Sequence, residues 1–119
     1  MLSGTTVSMY ADFSYEKKRF TAYIKDISYS GIGLFINHEF SLDEKLELRI
    51  HVKTTKILKI VGTIKRKLPK NVADRLFEYG LEIEYKNIGE MNAIKKLLEQ
   101  IREERENLIR KLVDDNLEA

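Results

Sequence analysis

The residue types best suited to chemistry in this 119-residue chain lie together in KDISYSGIGLF, residues 25–35, where Asp26, Ser28, Ser30, Gly31 and Gly33 fall within eight positions. A bare reversal between strands needs about two loop residues, typically Asn-Gly or Asp-Gly. This stretch carries more polar groups than that. A carboxylate at Asp26 accepts from paired N–H donors, and a hydroxyl at Ser28 both donates and accepts. Gly31 admits a positive φ and lets a ligand reach the main chain with no side chain in the way. The competing reading is that Asp26 and Ser28 hydrogen-bond their own turn. For Ser30 and Gly33 a purely structural role is the preferred one.

Other chemistries find little support. With no cysteine there is no thiolate site or disulfide, and only His38 and His51 offer imidazole, so neither a metal nor another cofactor is expected. The sequence contains no G-x-x-x-x-G-K-[ST], H-E-x-x-H or G-x-S-x-G, and GIG (31–33) is too short for a dinucleotide fingerprint. His38 and His51 read as surface residues on a loop and a strand. The chain is therefore expected not to be an enzyme.

Net charge is +2, unevenly spread: residues 1–86 hold 15 Lys/Arg against 11 Asp/Glu, and residues 87–119 hold 6 against 8. That mild excess suits an ordinary solvated surface or a small phosphate-bearing ligand better than DNA, whose binders carry a denser basic face. RNA binding would use exposed aromatics beside basic residues. Tyr10, Tyr15, Tyr23 and Tyr29 are the candidates, and strand packing explains them as well. No run of about eighteen apolar residues and no secretory pattern occurs, so no membrane association and a cytoplasmic location are expected.

The turn must be held by its neighbours. Apolar residues recur at every second position, the period of a strand with one buried face. The sets are Val7-Met9-Ala11-Phe13, Phe20-Ala22-Ile24, Ile32-Leu34-Ile36, Leu46-Leu48-Ile50-Val52, Ile57-Ile60-Ile64 and Tyr79-Leu81-Ile83-Tyr85. In the fifth the phase slips near Val61 and Gly62, which predicts a bulge there. SYEKKR (14–19) reads as a polar connection, and RKLPKNVADR (66–75), with the only proline, as a surface loop. Connections too short for parallel crossovers predict an antiparallel meander of six strands, closed into a small barrel so that no edge stays open.

At Asn87 the period changes. Asn87 three residues before Glu90 forms a capping-box-like start, and no Gly or Pro follows Gly89, which predicts a helix to about Asn116. The layout is thus a barrel over 1–86 and a helix over 87–119 that caps it. At about 1.5 Å per residue the helix outruns the barrel. Met91, Ile94, Leu98, Ile101, Arg105, Leu108 and Leu112 occupy alternate a and d sites. The polar run REEREN (102–107) separates an inner cluster, Ile94, Leu97, Leu98 and Ile101, from an outer one, Leu108, Ile109, Leu112 and Val113. The inner cluster would seal the barrel. The outer one predicts a homo-oligomer with a coiled-coil interface through Ile101, Arg105, Leu108, Ile109 and Leu112, Arg105 setting register. The alternative is that the whole helix packs back on its own barrel.

The pattern Asp26-x-Ser28-x-x-Gly31, followed by Leu34, resembles the second signature of the PilZ domain family, bacterial receptors for cyclic di-GMP (c-di-GMP). EYGLEIEY (78–85), with Gly80, resembles that family's closing strand, and a helix after it fits the same resemblance, which covers roughly residues 7–101. The resemblance implies a six-stranded antiparallel, mainly β barrel of split-barrel type with a C-terminal helix. It also implies a non-enzymatic receptor or adaptor in c-di-GMP signalling, with a motility or secretion protein as downstream partner. Under it, Asp26 accepts from guanine N1–H and N2–H, and Asp26, Ser28 and Gly31 form the ligand site.

The family's first signature, R-x-x-x-R just before the first strand, is missing; only MLSGTT precedes the first alternating set, and Lys17, Lys18 and Arg19 do not match the motif. Two lost charge-assisted bonds of about 1.5 to 3 kcal/mol each amount to roughly 3 to 6 kcal/mol, on the order of a hundred-fold to ten-thousand-fold in affinity. Three resolutions stay open: basic residues upstream of Met1, basic residues from a neighbouring chain, or a degenerate domain that acts through its helix as an oligomerising interaction module.

Overall fold

Alternation becomes strand wherever one face can be buried, and all six sets do so. The computed structural model describes residues 9–51, 57–69 and 75–118. Strands β1 (Tyr10–Tyr15), β2 (Lys18–Ile27), β3 (Gly31–Ile36), β4 (Lys45–His51), β5 (Ile57–Lys67) and β6 (Phe77–Glu84) precede one helix, α1 (Ile88–Glu118). Val7, Val52, the segment before β1 and residues 70–74 of the expected loop lie outside the described residues. Inward side chains from all six strands, among them Ala11, Ile24, Leu34, Leu48, Ile64 and Leu81, make one core.

The sheet closes in the order β1-β2-β3-β6-β5-β4, every pairing antiparallel. The barrel is as expected, but it is not a plain meander. In a meander β3 would lie against β4; here β3 pairs β6 and β1 pairs β4, so two three-stranded meanders are joined through a crossing connection at residues 37–44. Phe40 anchors that connection in the core. Its buried ring meets Phe13, Phe20 and Tyr79 edge-on, with centroids 5.6, 5.6 and 6.1 Å away. Its N–H donates to the Tyr79 hydroxyl at 2.7 Å, and that hydroxyl donates to the His38 carbonyl at 2.8 Å.

Three boundaries differ from expectation. The β1–β2 connection is only Glu16-Lys17, both with positive φ (49° and 65°), so most of SYEKKR is strand; two positive φ values are what a tight hairpin with right-handed twist requires. β5 does not slip at Val61 and Gly62. Gly62 takes an inward place against Leu81, Ile57 points outward, and the register shift falls later, between Ile64 and Arg66. β5 then continues through Arg66 and Lys67, which the proline had suggested were loop.

α1 begins as a capping box. The Glu90 N–H donates to Asn87 Oδ1 at 2.9 Å, and Glu90 Oε1 accepts from the Lys86 N–H at 2.8 Å. Ile94 and Leu97 are buried, with Leu98 and Ile101 packed beside them; burial of each of the first two contributes about 1.5 to 3 kcal/mol. From Arg102 to Asn107 every residue is exposed, and beyond them Ile109, Leu112 and Val113 are open to solvent. Among the described residues no helix is long and apolar enough to cross a membrane.

Candidate functional site

Asp26, Ser28 and Gly31 line one open groove of about 630 Å³ on the outer wall of the barrel. Ser28 has the structural role. Its hydroxyl accepts from the Gly31 N–H at 3.1 Å and donates to the Gly31 carbonyl at 3.2 Å, while its own N–H donates to that carbonyl at 2.8 Å. Gly31 is needed for space, not for a left-handed backbone, since no described glycine has positive φ. A methyl group there would lie 2.9 Å from the Leu81 carbonyl oxygen on β6.

Asp26 behaves differently from Ser28. A register shift in the β2–β3 pairing between Ile24 and Asp26 delivers it to the outer face opposite Gly33. Its carboxylate leans over that glycine: a methyl on Gly33 would meet Asp26 Oδ1 at 2.7 Å. Asp26 is exposed and has no hydrogen-bond or ion-pair partner among the described residues. The turn does not consume it.

Gly33, expected to be structural only, begins a glycine floor. It pairs with Gly80 on β6, and Gly80 pairs with Arg66 on β5. Asp26, Gly33, Gly80 and Arg66 thus form one cross-strand row over four strands, about 14 Å from end to end at the usual strand spacing. The guanidinium of Arg66 lies across Gly80, whose added methyl would sit 3.3 Å from Arg66 Nε. Sequence reasoning noted Gly80 but missed Arg66; the signal available was the alternation of β5, which runs on toward the proline.

Lys65 also lines the groove, with Nζ 3.4 Å from Asp43. At one end the Tyr85 hydroxyl donates to the Tyr29 carbonyl, and the two rings lie 5.6 Å apart. Burial pushes the Tyr85 phenol up, and Tyr29 adds to the shift; both tyrosines line the groove as aromatic wall.

A second, smaller groove of about 250 Å³ holds a cluster that sequence reasoning did not single out. Asp12 is buried on the outer face of β1, with Arg19 Nη2 at 3.1 Å, Arg49 Nε at 2.9 Å and a hydrogen bond to His51 Nε2. Burial alone would raise this carboxyl; the hydrogen bonds of His51 and Arg49 and the charges of Arg49 and Arg19 outweigh it and hold Asp12 below the usual carboxylate range. Tyr10 stacks on His51 with centroids 4.4 Å apart. These groups pair around Asp12 and brace the wall, with Arg49 donating through Nη2 while its buried Nε, though 2.9 Å from Asp12, makes no hydrogen bond of good geometry. Tyr23 against Phe35 and Tyr15 against Phe40 are likewise accounted for by packing. Among the described residues no group of three or more His, Cys, Asp or Glu could hold a metal.

The PilZ domain model matches residues 5–100 of the chain. No curated protein matches the sequence. Among solved structures, the MrkH–c-di-GMP complex of K. pneumonia superposes with a TM-score of 0.74 at 16% identity, over 85% of this chain and 49% of MrkH. The PilZ domain of YcgR from Escherichia coli, with c-di-GMP, gives 0.66 at 10% identity over 84% and 86%. The Bacillus subtilis inhibitor of motility, MotI/DgrA, gives 0.62 at 20% identity over 83% and 47%. The chain thus spans about half the length of MrkH and of MotI. At these identities the superpositions speak for the barrel, and the matched model covers all six strands and the capping turns of α1: the chain belongs to the PilZ domain family.

Proposed function

We propose that this chain is a non-enzymatic c-di-GMP receptor whose ligand lies in the groove beside the β2–β3 turn. The observation that carries the reading is Asp26, a carboxylate with no partner among the described residues, held over a glycine floor while Ser28 braces the turn beneath it. A carboxylate so placed accepts from guanine N1–H and N2–H. Gly31 keeps β3 close to β6 so that the floor stays flat. The family assignment and the c-di-GMP held by MrkH and YcgR support the choice of ligand. In this reading residues 1–86 sense the nucleotide in the cytoplasm and residues 87–119 cap the barrel and relay its state to a motility or secretion protein. Calorimetry with c-di-GMP tests it. The intact chain binds in the micromolar range, and Asp26→Ala binds about tenfold to a hundredfold more weakly, the value of hydrogen bonds to a charged group. No heat from the intact chain overturns the reading.

A second reading is favoured by α1. Beyond Ile101 the helix leaves the barrel, and Ile109, Leu112 and Val113 remain exposed beside the half-buried Leu108. We propose that Ile101, Arg105, Leu108, Ile109 and Leu112 form a coiled-coil contact with a second copy. Light scattering should show a dimer or larger assembly that Leu108→Asp converts to monomer; a monomeric intact chain at high concentration removes this reading.

A further inference from the structure

The row Asp26-Gly33-Gly80-Arg66 has a built character at both ends. Each of its outer strands carries a register shift immediately before the polar residue, between Ile24 and Asp26 on β2 and between Ile64 and Arg66 on β5. A bulge adds a residue and re-aims the side chain that follows. Both central strands carry glycine at this row, and only there would an added methyl strike the two polar side chains. The outcome is a two-glycine strip with the Asp26 carboxylate lying over Gly33 and the Arg66 guanidinium over Gly80.

Arg66 is available. Among the described residues its ion-pair partner is Glu78, 3.7 Å away, with the Arg66 side chain 64% exposed, and Glu78 already holds Lys25 at 2.9 Å. So loose and solvated a pair is exchanged at little cost. Lys65, the other cation of the groove, is turned toward Asp43.

We propose that Arg66 is a nucleotide-binding arginine of this domain, supplied from within the barrel wall. This rests on the reading of the groove as a c-di-GMP site. Both side chains are exposed and can swing off the glycines; a guanine lodged between them then offers N1–H and N2–H to the Asp26 carboxylate and O6 and N7 to the fork of Arg66, the bidentate pairing that arginine makes with guanine. Adenine satisfies each end only singly, through N6–H at the carboxylate and N7 at the guanidinium. The pair therefore selects guanine, and Arg66 accounts for part of that selectivity.

The test is calorimetry on the full chain with c-di-GMP and with c-di-AMP, for the wild type, Arg66→Ala, Arg66→Gln, Lys65→Ala and Asp26→Ala, each checked for folding by its melting curve. Arg66→Ala and Arg66→Gln should each weaken c-di-GMP about tenfold or more and reduce the preference over c-di-AMP, while Lys65→Ala stays within about threefold. Folded Arg66 variants that bind as well as wild type, while Asp26→Ala does not, overturn the proposal and leave the receptor reading standing. Equal losses for Lys65→Ala and Arg66→Ala overturn it too, since general positive charge would then suffice. No binding by the wild type overturns both.

Discussion

At the scale of single residues, the molecule treats its two notable aspartates oppositely. Among the described residues Asp26 has no partner over its glycine floor, whereas Asp12 is surrounded by Arg19, Arg49 and His51. The second arrangement gives a pH signature. Because the folded carboxyl titrates below its ordinary value, its contribution is complete above about pH 5 and is lost as pH falls through the folded value. Asp12→Asn should cost about 2 kcal/mol near neutral pH and should flatten the loss of stability between about pH 5 and 3, read from denaturant midpoints. A variant as stable as wild type with the same acid slope would refute the bracing role. Asp12 was not legible in the sequence because an outward position on an alternating strand reads as solvent-facing; nothing in the period reveals that β4 brings Arg49 and His51 alongside it. The place of Gly33 opposite Asp26 and Gly80 was hidden for the same reason, since it comes from strands β2 and β6.

Element boundaries show which physical signals a sequence carries. The six strands and the helix start were legible because burial of one face imposes a period of two and a cap imposes Asn87 and Glu90. Strand order was not, since periodicity says which face is buried and is silent on the neighbour across the sheet. Phe40 carried the missing information as a buried aromatic in a mostly polar loop whose other apolar residue, Leu42, is exposed. Proline misled at β5: it ended the strand two residues later than supposed, and Arg66 was assigned to loop. For α1 the two clusters predict two different sensitivities. Ile94→Ala, at a site with no exposed surface, should destabilise the barrel by about 2 to 5 kcal/mol in chemical denaturation. A cost below 1 kcal/mol would mean that the helix does not cap the core.

For the whole molecule, the longest dimension is 55 Å, and the 31 residues of the helix alone extend about 46 Å. Its outer half contributes little to the barrel, so a chain ending after Arg102 should melt within about 0.5 kcal/mol of the full chain under dilute conditions where no assembly forms. A large loss would place the outer helix in the monomer's own stability. The crossing connection anchored by Phe40 bears on how the domain is made. Tyr10 pairs with His51, 41 residues away, and Gly31 with Glu82, 51 residues away. During translation the first three strands leave the ribosome without the partners that flank them, and the second closing strand follows roughly 3 to 10 s later at ordinary elongation rates. Closure is therefore a late event dominated by distant pairings, which slows it, and in that interval the nascent sheet exposes Ala22, Ile24, Ile32 and Leu34 to whatever holdase stands at the exit tunnel.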